Sequence, residues 1–200
     1  MRVVLENVGH AFPGGAPLFT ALNRELLPHH VYALSGPSGS GKSTLLSILA
    51  GWEEPSAGCV VREGITRTGW VFQNPHGVAR RNALDHVVLP LIAHGLGRRD
   101  AERTAHDHLE LFGLAHVADR PFSALSGGEA QRLMLARGMA TGPDLFLVDE
   151  PTAQLDRRTA DTVNATLGVL SRAGSIVVVA THDSATRDAC TDHIDLSVTT

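Results

Sequence analysis

The sequence predicts an α/β fold built on a mostly parallel sheet. The runs Val31–Ser35 and Leu145–Asp149, and a third at residues 175–180, are almost wholly apolar, which is typical of strands covered on both faces. Helical patterns separate several of the strands, and strands that alternate with helices favour this fold class. The chain has 200 residues, of which 43% are hydrophobic, so it can build the core of one domain with a subdomain.

Shorter patterns predict the remaining elements. In one helical pattern Ala101, Ala105 and Leu109 recur every four residues and so fall on one face. The other predicted strands are residues 3–8, 59–61 and 69–72, and the predicted helices are residues 43–50, 84–94, 101–112 and 159–172.

The middle of the chain has little strand signal between residues 74 and 137. We therefore expect a single domain over residues 1–200, in which 1–73 and 138–200 form the α/β core. Residues 74–137 are expected to form a helical subdomain inserted into this core, with the insertion itself at 74–122.

Composition and charge exclude several classes of protein. The net charge of −4 gives no basic footprint, so a nucleic-acid partner is not expected. Cys59 and Cys190 are expected to be ordinary thiols. Two cysteines are too few for a disulfide framework, and these two do not have the spacing of metal ligands. No run approaches the roughly 18 apolar residues of a membrane span, and the start lacks the apolar stretch of a signal peptide. We expect a cytoplasmic protein whose membrane role depends on a partner.

A glycine-rich loop follows the strand Val31–Ser35. Glycines let backbone N–H groups face phosphate oxygens, and the start of the next helix adds favourable partial charge. We expect Lys42 to reach the β- and γ-phosphates of a nucleotide and Ser43 to bind Mg²⁺. The alternative is a flexible Gly/Ser turn, which the flanking strand and helix disfavour. The loop is Gly36-Pro37-Ser38-Gly39-Ser40-Gly41-Lys42-Ser43-Thr44 and fits G-x-x-x-x-G-K-[ST].

Two carboxylates stand at the end of the strand Leu145–Asp149. A buried strand beside the phosphate loop can bring Asp149 to Mg²⁺, and Glu150, one residue further, can polarise the attacking water. Nucleotide hydrolysis needs one carboxylate held by the metal and another free to accept a proton. The alternative is a strand that runs into a polar turn at Pro151, and the phosphate loop makes this the weaker interpretation.

A signature string, Leu125-Ser126-Gly127-Gly128-Glu129-Ala130-Gln131-Arg132, lies between the phosphate loop and the acidic strand end. Together with Gln73, Asp156 and His182 in this order, it resembles the ATP-binding subunits of ABC transporters over residues 3–183. The resemblance implies a P-loop NTPase core, which has a RecA-like, mostly parallel sheet, an antiparallel β portion and an inserted α-helical subdomain. It also implies an ATPase that binds ATP and Mg²⁺.

Several residues take their expected roles from this resemblance. Phe12 occupies the position of the aromatic ring that stacks on adenine, and packing in the core is the alternative. Gln73 resembles the glutamine that touches Mg²⁺ or the attacking water, and an exposed polar strand end is its alternative. His182 resembles the histidine that contacts the γ-phosphate. The expected catalytic residues are therefore Lys42, Gln73, Glu150 and His182, and the expected metal ligands are Ser43, Gln73 and Asp149.

The signature string also implies a dimer. In the family, residues equivalent to Ser126, Gly127 and Gly128 bind the γ-phosphate of ATP held by the other subunit, and Glu129 belongs to the same nucleotide-binding set. Ser126 has the chemistry of an N-cap, and the glycines allow close approach.

A loop after the acidic strand end resembles the one that communicates across the dimer through Asp156. The sequence departs from the family at Gln154, where a small residue or glycine is usual. Both half-sites are otherwise intact, so a homodimer is favoured.

The implied function is an ATP-binding and ATP-hydrolysing subunit on the inner face of the plasma membrane, which drives permease subunits. Asn7-Val8, residues 85–91 and Pro143-Asp144-Leu145 resemble the lipoprotein-release and macrolide-export branch, which implies export or extraction. The alternative is a soluble ABC-type ATPase acting on DNA or ribosomes, but those chains usually carry long coiled-coil inserts or tandem cassettes. A P-loop kinase or GTPase would leave the signature string unexplained.

Overall fold

The structure, a computed structural model, describes residues 1–153 and 155–197. Gln154, the departure noted in the sequence, lies outside the described residues. Short 3₁₀ turns at Ala115–Val117 and Phe122–Ala124 precede the fourth helix. The strands are β1 (Arg2–His10), β2 (Phe19–Leu26), β3 (Val31–Ser35), β4 (Ala57–Glu63), β5 (Thr68–Val71), β6 (Leu145–Asp149), β7 (Ile176–Ala180) and β8 (Asp192–Asp195), and the helices are α1 (Lys42–Ala50), α2 (Ala83–Ala93), α3 (Arg98–Leu111), α4 (Gly127–Ala140), α5 (Arg157–Arg172) and α6 (Ser184–Asp188).

A parallel sheet in the order β5-β6-β7-β3-β8 forms the centre of the molecule. Every residue of β6 and β7 is buried, and β3 is buried up to Ser35, so the three predicted apolar strands are confirmed. Leu34 pairs in register with Ala180, and Ala180 pairs with Asp149. The loops that follow β3, β6 and β7 therefore leave the sheet side by side, at the carboxyl ends of these strands.

A second, antiparallel sheet in the order β2-β1-β4 confirms the expected antiparallel portion. The sequence did not predict β2, whose buried residues Phe19, Leu22 and Leu26 follow a helical spacing of three and four. The register shifts along β1 and β2, and Asn7 and Ala21 have positive φ values of 51° and 52°. These bulges break the two-residue alternation by which a strand is normally predicted.

The fifth parallel strand, β8, was also not predicted. In the sequence Asp192-His193-Ile194-Asp195 only Ile194 is buried, so there is no hydrophobic run to indicate a strand. Its backbone pairs with β3 at the edge of the sheet. Short, charged strands are common at such edges, where they discourage pairing with other chains.

Helices occupy the chain between β5 and β6. This segment is described throughout, and none of it belongs to a strand, as the sequence predicted. Apolar side chains of α2, α3 and α4, among them Val87, Leu109 and Leu133, join one core cluster with Phe146 of the main sheet. The helices are thus packed against the sheet on which the site is built. Within the described residues, no helix is both long and apolar enough to cross a bilayer.

Candidate functional site

A cleft of about 630 Å³ opens where β3, β6 and β7 end. It is bordered by backbone and side chains from the phosphate loop, the acidic strand end and three other segments. The residues that line it are Phe12, Leu18, Ser38, Gly39, Gly41, Lys42, Ser43, Thr44, Gln73, Asp149, Glu150 and His182. The cleft thus brings together all four expected catalytic residues and all three expected metal ligands.

The phosphate loop forms the floor of this cleft. Helix α1 begins at Lys42 after Gly41, which has φ of 92° and no side chain to cap the helix, so the N–H groups of the first turn are left to other acceptors. The Lys42 ammonium group donates to the carbonyl oxygens of Gly36 (2.9 Å) and Pro37 (3.2 Å), both within the loop. This arrangement is chemically suited to an anion, because it concentrates donors and positive charge at one point.

The strand β2 and the loop before it hold the phosphate loop in place. A Cβ atom at Gly41 would lie 3.0 Å from Leu18 and 3.0 Å from Phe19, so no other residue fits there without displacement. Leu18 lines the cleft, but the sequence analysis missed it. No local motif marks this leucine, whose position depends on the pairing of β1 with β2.

The Ser43 hydroxyl lies 2.7 Å from a carboxylate oxygen of Asp149. Burial raises the pKa of Asp149 above its ordinary value, and the neighbouring Glu150 acts in the same direction, although the bond from Ser43 opposes them. Two carboxylates in a buried position are unfavourable unless a cation offsets their charge. A hydroxyl and a carboxylate oxygen side by side are also the ligands that Mg²⁺ prefers, so the residues fit this ion.

Glu150 and His182 line the same cleft and contact each other. Glu150 is 9% exposed and its Oε1 lies 2.8 Å from His182 Nδ1, while the His182 ring is largely open to solvent. A carboxylate held in this way can accept a proton from a water molecule in the cleft. Gln73 is exposed and lines the same cleft just after β5, and Phe12, 53% exposed, stands at its outer end.

The signature string lies elsewhere. Ser126 caps α4, accepting from the Glu129 N–H, while the Glu129 carboxylate accepts from the Ser126 N–H at 2.7 Å, so the predicted N-cap is confirmed as a full capping box. These bonds lower the pKa of Glu129. Asp156 likewise caps α5 by accepting from the Thr159 N–H. None of the residues 126–129 lines the cleft, and neither does Asp156.

Comparison with known proteins extends these observations. The family model described as ABC transporter matches residues 19–153. The lipoprotein-releasing system ATP-binding protein LolD 2 of Caulobacter vibrioides is 37% identical over 195 residues, covering 90% of this chain and 86% of its own. The taurine import ATP-binding protein TauB of Pseudomonas savastanoi pv. phaseolicola is 36% identical over 187 residues, covering 90% and 72%.

Among solved structures, the dimeric ATP-binding cassette MJ0796 in a post-hydrolysis state, bound to ADP and Pi, superposes with a TM-score of 0.86. It is 28% identical, and the match covers 98% of this chain and 94% of that one.

The sheet, the phosphate loop and the paired carboxylates define an ATP-binding α/β ATPase with a P-loop NTPase fold, as the sequence predicted. The chain belongs to the ABC transporter family, in which it is an ATP-binding, ATP-hydrolysing subunit. The alternative of a soluble ABC-type ATPase acting on DNA or ribosomes is not favoured by these relatives.

Proposed function

We propose that this chain hydrolyses ATP in the cleft described above and that two copies of the chain share each ATP. The observation that carries the proposal is the convergence of Lys42, Ser43, Asp149, Glu150 and His182 on one cleft from three adjoining strand ends. In this arrangement the phosphate loop binds the β- and γ-phosphates of ATP. Phe12, at the outer end of the cleft, stacks on the adenine ring.

Ser43, Asp149 and Gln73 are the residues that would hold Mg²⁺, which when bound would stabilise the negative charge of the phosphates during hydrolysis. Glu150 accepts a proton from the attacking water, because its carboxylate is buried at the wall of the cleft and is held by the side chain and backbone of His182. His182, whose ring is exposed to the cleft, contacts the γ-phosphate. Lys42 neutralises charge on the same phosphates.

A second copy of the chain completes each site. The start of α4 is an exposed helix N-terminus with a capping box and two glycines, but residues 126–129 do not line their own chain's cleft. Facing the cleft of a partner copy, this helix start would meet the γ-phosphate. A solved relative is a dimeric cassette, which supports this arrangement. The closed dimer depends on the γ-phosphate, so hydrolysis weakens it and allows it to open.

Two variants at Ser126 test the shared site. Ser126→Asn and Ser126→Asp both retain an N-cap of comparable strength, but only aspartate adds a negative charge where the γ-phosphate would bind. In a Glu150→Gln background with ATP and Mg²⁺, sedimentation should show a dimer for Ser126→Asn and a monomer for Ser126→Asp. A dimer that persists unchanged in Ser126→Asp would contradict the shared site.

We also propose that residues 74–137 act as a subdomain. This subdomain transmits the conformational change that accompanies ATP binding and hydrolysis from Gln73 to membrane permease subunits. Residues 1–73 and 138–200 act as the core. Gln73 lines the cleft and immediately precedes the segment that leads into α2, so a change at the nucleotide reaches the helices directly. The chain would then work on the inner face of the plasma membrane, and the relatives named for lipoprotein release support extraction or export as its task.

The partner can be identified by capture from native membranes. Tagged Glu150→Gln protein, incubated with ATP and Mg²⁺, should retain a polytopic membrane protein after detergent solubilisation. The matched control is Lys42→Ala in the same background, which should retain less because it binds ATP weakly. Recovery of soluble partners or nucleic acid alone would favour the alternative function, a soluble ABC-type ATPase that acts on DNA or ribosomes. A permease related to importers would overturn the proposed direction, because one relative is named for taurine import.

A further inference from the structure

His10 is a buried histidine that the proposed mechanism does not use. It is the last residue of β1 and is 5% exposed. Neither Nδ1 nor Nε2 has a hydrogen-bond partner within residues 1–153 and 155–197. Every imidazole carries at least one N–H, and burying such a donor without an acceptor destabilises a fold. A buried group of this kind therefore needs an explanation other than fold stability.

The ring of His10 contacts Phe12, which lines the cleft. The two ring centroids are 5.0 Å apart and the rings are nearly perpendicular, at 83°. The face of a phenyl ring is electron-rich and the edge of an imidazole carries positively polarised N–H and C–H groups, so an edge-to-face contact between them is attractive. Phe12 is 53% exposed and lines the cleft, so the pair joins a buried ring to the outer end of the site.

The backbone around this pair is fixed by hydrogen bonds. The Leu18 N–H donates to the His10 carbonyl at 2.8 Å, and the Gly15 N–H donates to the Phe12 carbonyl at 2.9 Å. Between the two residues, Ser56 Oγ accepts from the Ala11 N–H at 3.1 Å and donates to the Ala11 carbonyl at 3.0 Å. With the main chain held on both sides, the orientation of the Phe12 ring depends on the side chains that touch it.

We propose that His10 is a positioning residue for the nucleotide base. Its ring contacts Phe12 from the protein interior and holds the Phe12 ring in one orientation, which keeps the exposed surface of that ring available to the base. This inference rests on the proposed stacking of Phe12 on adenine. This role in binding explains why a polar ring occupies a position where an apolar residue of similar size would make the fold more stable.

The variant His10→Leu tests the inference through three readouts. The KM for ATP should rise roughly 3- to 10-fold, the range expected when a side chain that was held in place must instead be ordered on binding, while kcat stays unchanged. Inhibition by inorganic tripolyphosphate, which has no base, should be the same as in the parent chain. The thermal midpoint should stay level or rise, because an unpaired buried polar group has been removed.

A control separates positioning from general destabilisation. Val8→Ala opens a cavity in the same strand, where Val8 is fully buried, and should lower the thermal midpoint without changing the KM for ATP. If His10→Leu left the KM for ATP unchanged, or weakened the binding of tripolyphosphate and of ATP equally, His10 would have no role in positioning the base.

The variant Phe12→Leu distinguishes the stacking of Phe12 on adenine from the positioning role of His10. It should raise the KM for ATP, and adding His10→Leu to it should raise the KM no further, because the contact has already been lost. An unchanged KM in Phe12→Leu would remove the stacking proposal itself. A KM that rises in Phe12→Leu but not in His10→Leu would leave stacking intact and overturn only the role of His10.

Discussion

His182 Nδ1 lies 2.8 Å from Glu150 Oε1, and the backbone N–H of His182 donates to the other oxygen of the same carboxylate at 3.4 Å. Glu150 also has φ of 48°, a value that non-glycine residues rarely adopt, and its own N–H donates to the Ala180 carbonyl at 2.8 Å. The end of β7 thus holds Glu150 through both backbone and side chain. Backbone strain maintained by surrounding contacts is common at catalytic positions.

Replacing Glu150 by glutamine should separate ATP binding from turnover. Glutamine has the same shape and still accepts hydrogen bonds, but it cannot take a proton from water. We expect phosphate release to fall by about 10²- to 10⁴-fold while the Kd for ATP stays within about threefold of the parent value. Phosphate release assays and calorimetric titration measure the two quantities. Near-normal turnover in Glu150→Gln would exclude Glu150 as the base.

Lys42 is the only lysine in the sequence, which allows a direct chemical test of the phosphate loop. An amine-reactive ester should modify Lys42 and the N-terminal amine, and mass spectrometry distinguishes the two products. We expect ATP with Mg²⁺ to protect Lys42 several-fold, because the phosphates cover the ammonium group. Modification of the N-terminal amine is the internal control and should not change. Equal labelling of Lys42 with and without ATP would contradict its contact with phosphate.

His86 should make the fold less stable in acid. Burial lowers its pKa in the folded chain, and the Arg81 and Arg137 charges add to this effect. The Nδ1–H donates to the Asn82 carbonyl at 2.7 Å and Nε2 accepts from the Val78 N–H at 3.0 Å, so the ring is bound in its neutral form. A histidine whose pKa is lower folded than unfolded stabilises fully above about pH 6.5, and this stabilisation is lost as pH falls towards the folded pKa.

Urea unfolding of the parent and of His86→Gln at pH 7.5, 6.5 and 5.5 measures this effect. We expect His86→Gln to lose about 1–3 kcal/mol at pH 7.5, because the flexible amide does not hold the Asn82 carbonyl and the Val78 N–H in the fixed geometry of the ring, and to show a weaker dependence on pH. Burial also lowers the pKa of His108, so His108→Gln should weaken the dependence on pH in the same direction, and it measures this second contribution separately. An equal slope with pH in the parent and His86→Gln would exclude His86 as a source of acid sensitivity.

Two glycines with the same backbone angle should tolerate alanine very differently. Gly14 and Gly58 both have φ of 74°, but a Cβ atom at Gly14 meets nothing within 4 Å, whereas at Gly58 it would lie 2.2 Å from the Glu6 carbonyl oxygen and 2.3 Å from that of Asn7. Gly14→Ala should cost about 1–2 kcal/mol for the left-handed conformation alone. Gly58→Ala must also separate β4 from β1, so we expect a clearly larger loss of unfolding free energy. Equal losses would mean that the two strands adjust freely.

Local chemistry made several elements predictable from the sequence. The apolar runs of β3, β6 and β7 have no alternative to burial on both faces, and the Gly-rich loop beside Lys42 has a fixed relation to the strand before it and the helix after it. Ser126 and Glu129 are three residues apart, which is the spacing of the capping box that the structure contains.

Other features depend on contacts between distant segments, and no local pattern could indicate them. The strands β2 and β8 owe their conformation to pairing with β1 and β3, because bulges or charged residues hide their alternation. Leu18 reaches the cleft only because the hairpin of β1 and β2 packs against the phosphate loop, and the same hairpin brings His10 against Phe12. Glu150 and His182 meet only because β6 and β7 are neighbours.

The sequence by itself determined the α/β class and the phosphate-loop motif, because these follow from short-range spacing and hydrophobicity, whereas the expected roles of Gln73 and His182 came from the family resemblance. The tertiary structure decided which of the site residues face one another. Strand order set the 2.8 Å contact between Glu150 and His182 and the 2.7 Å bond between Ser43 and Asp149. The tertiary structure also places the capping box of α4 away from the cleft of the same chain. Such distances depend on how separated segments pack, which is a property of the whole fold rather than of any segment.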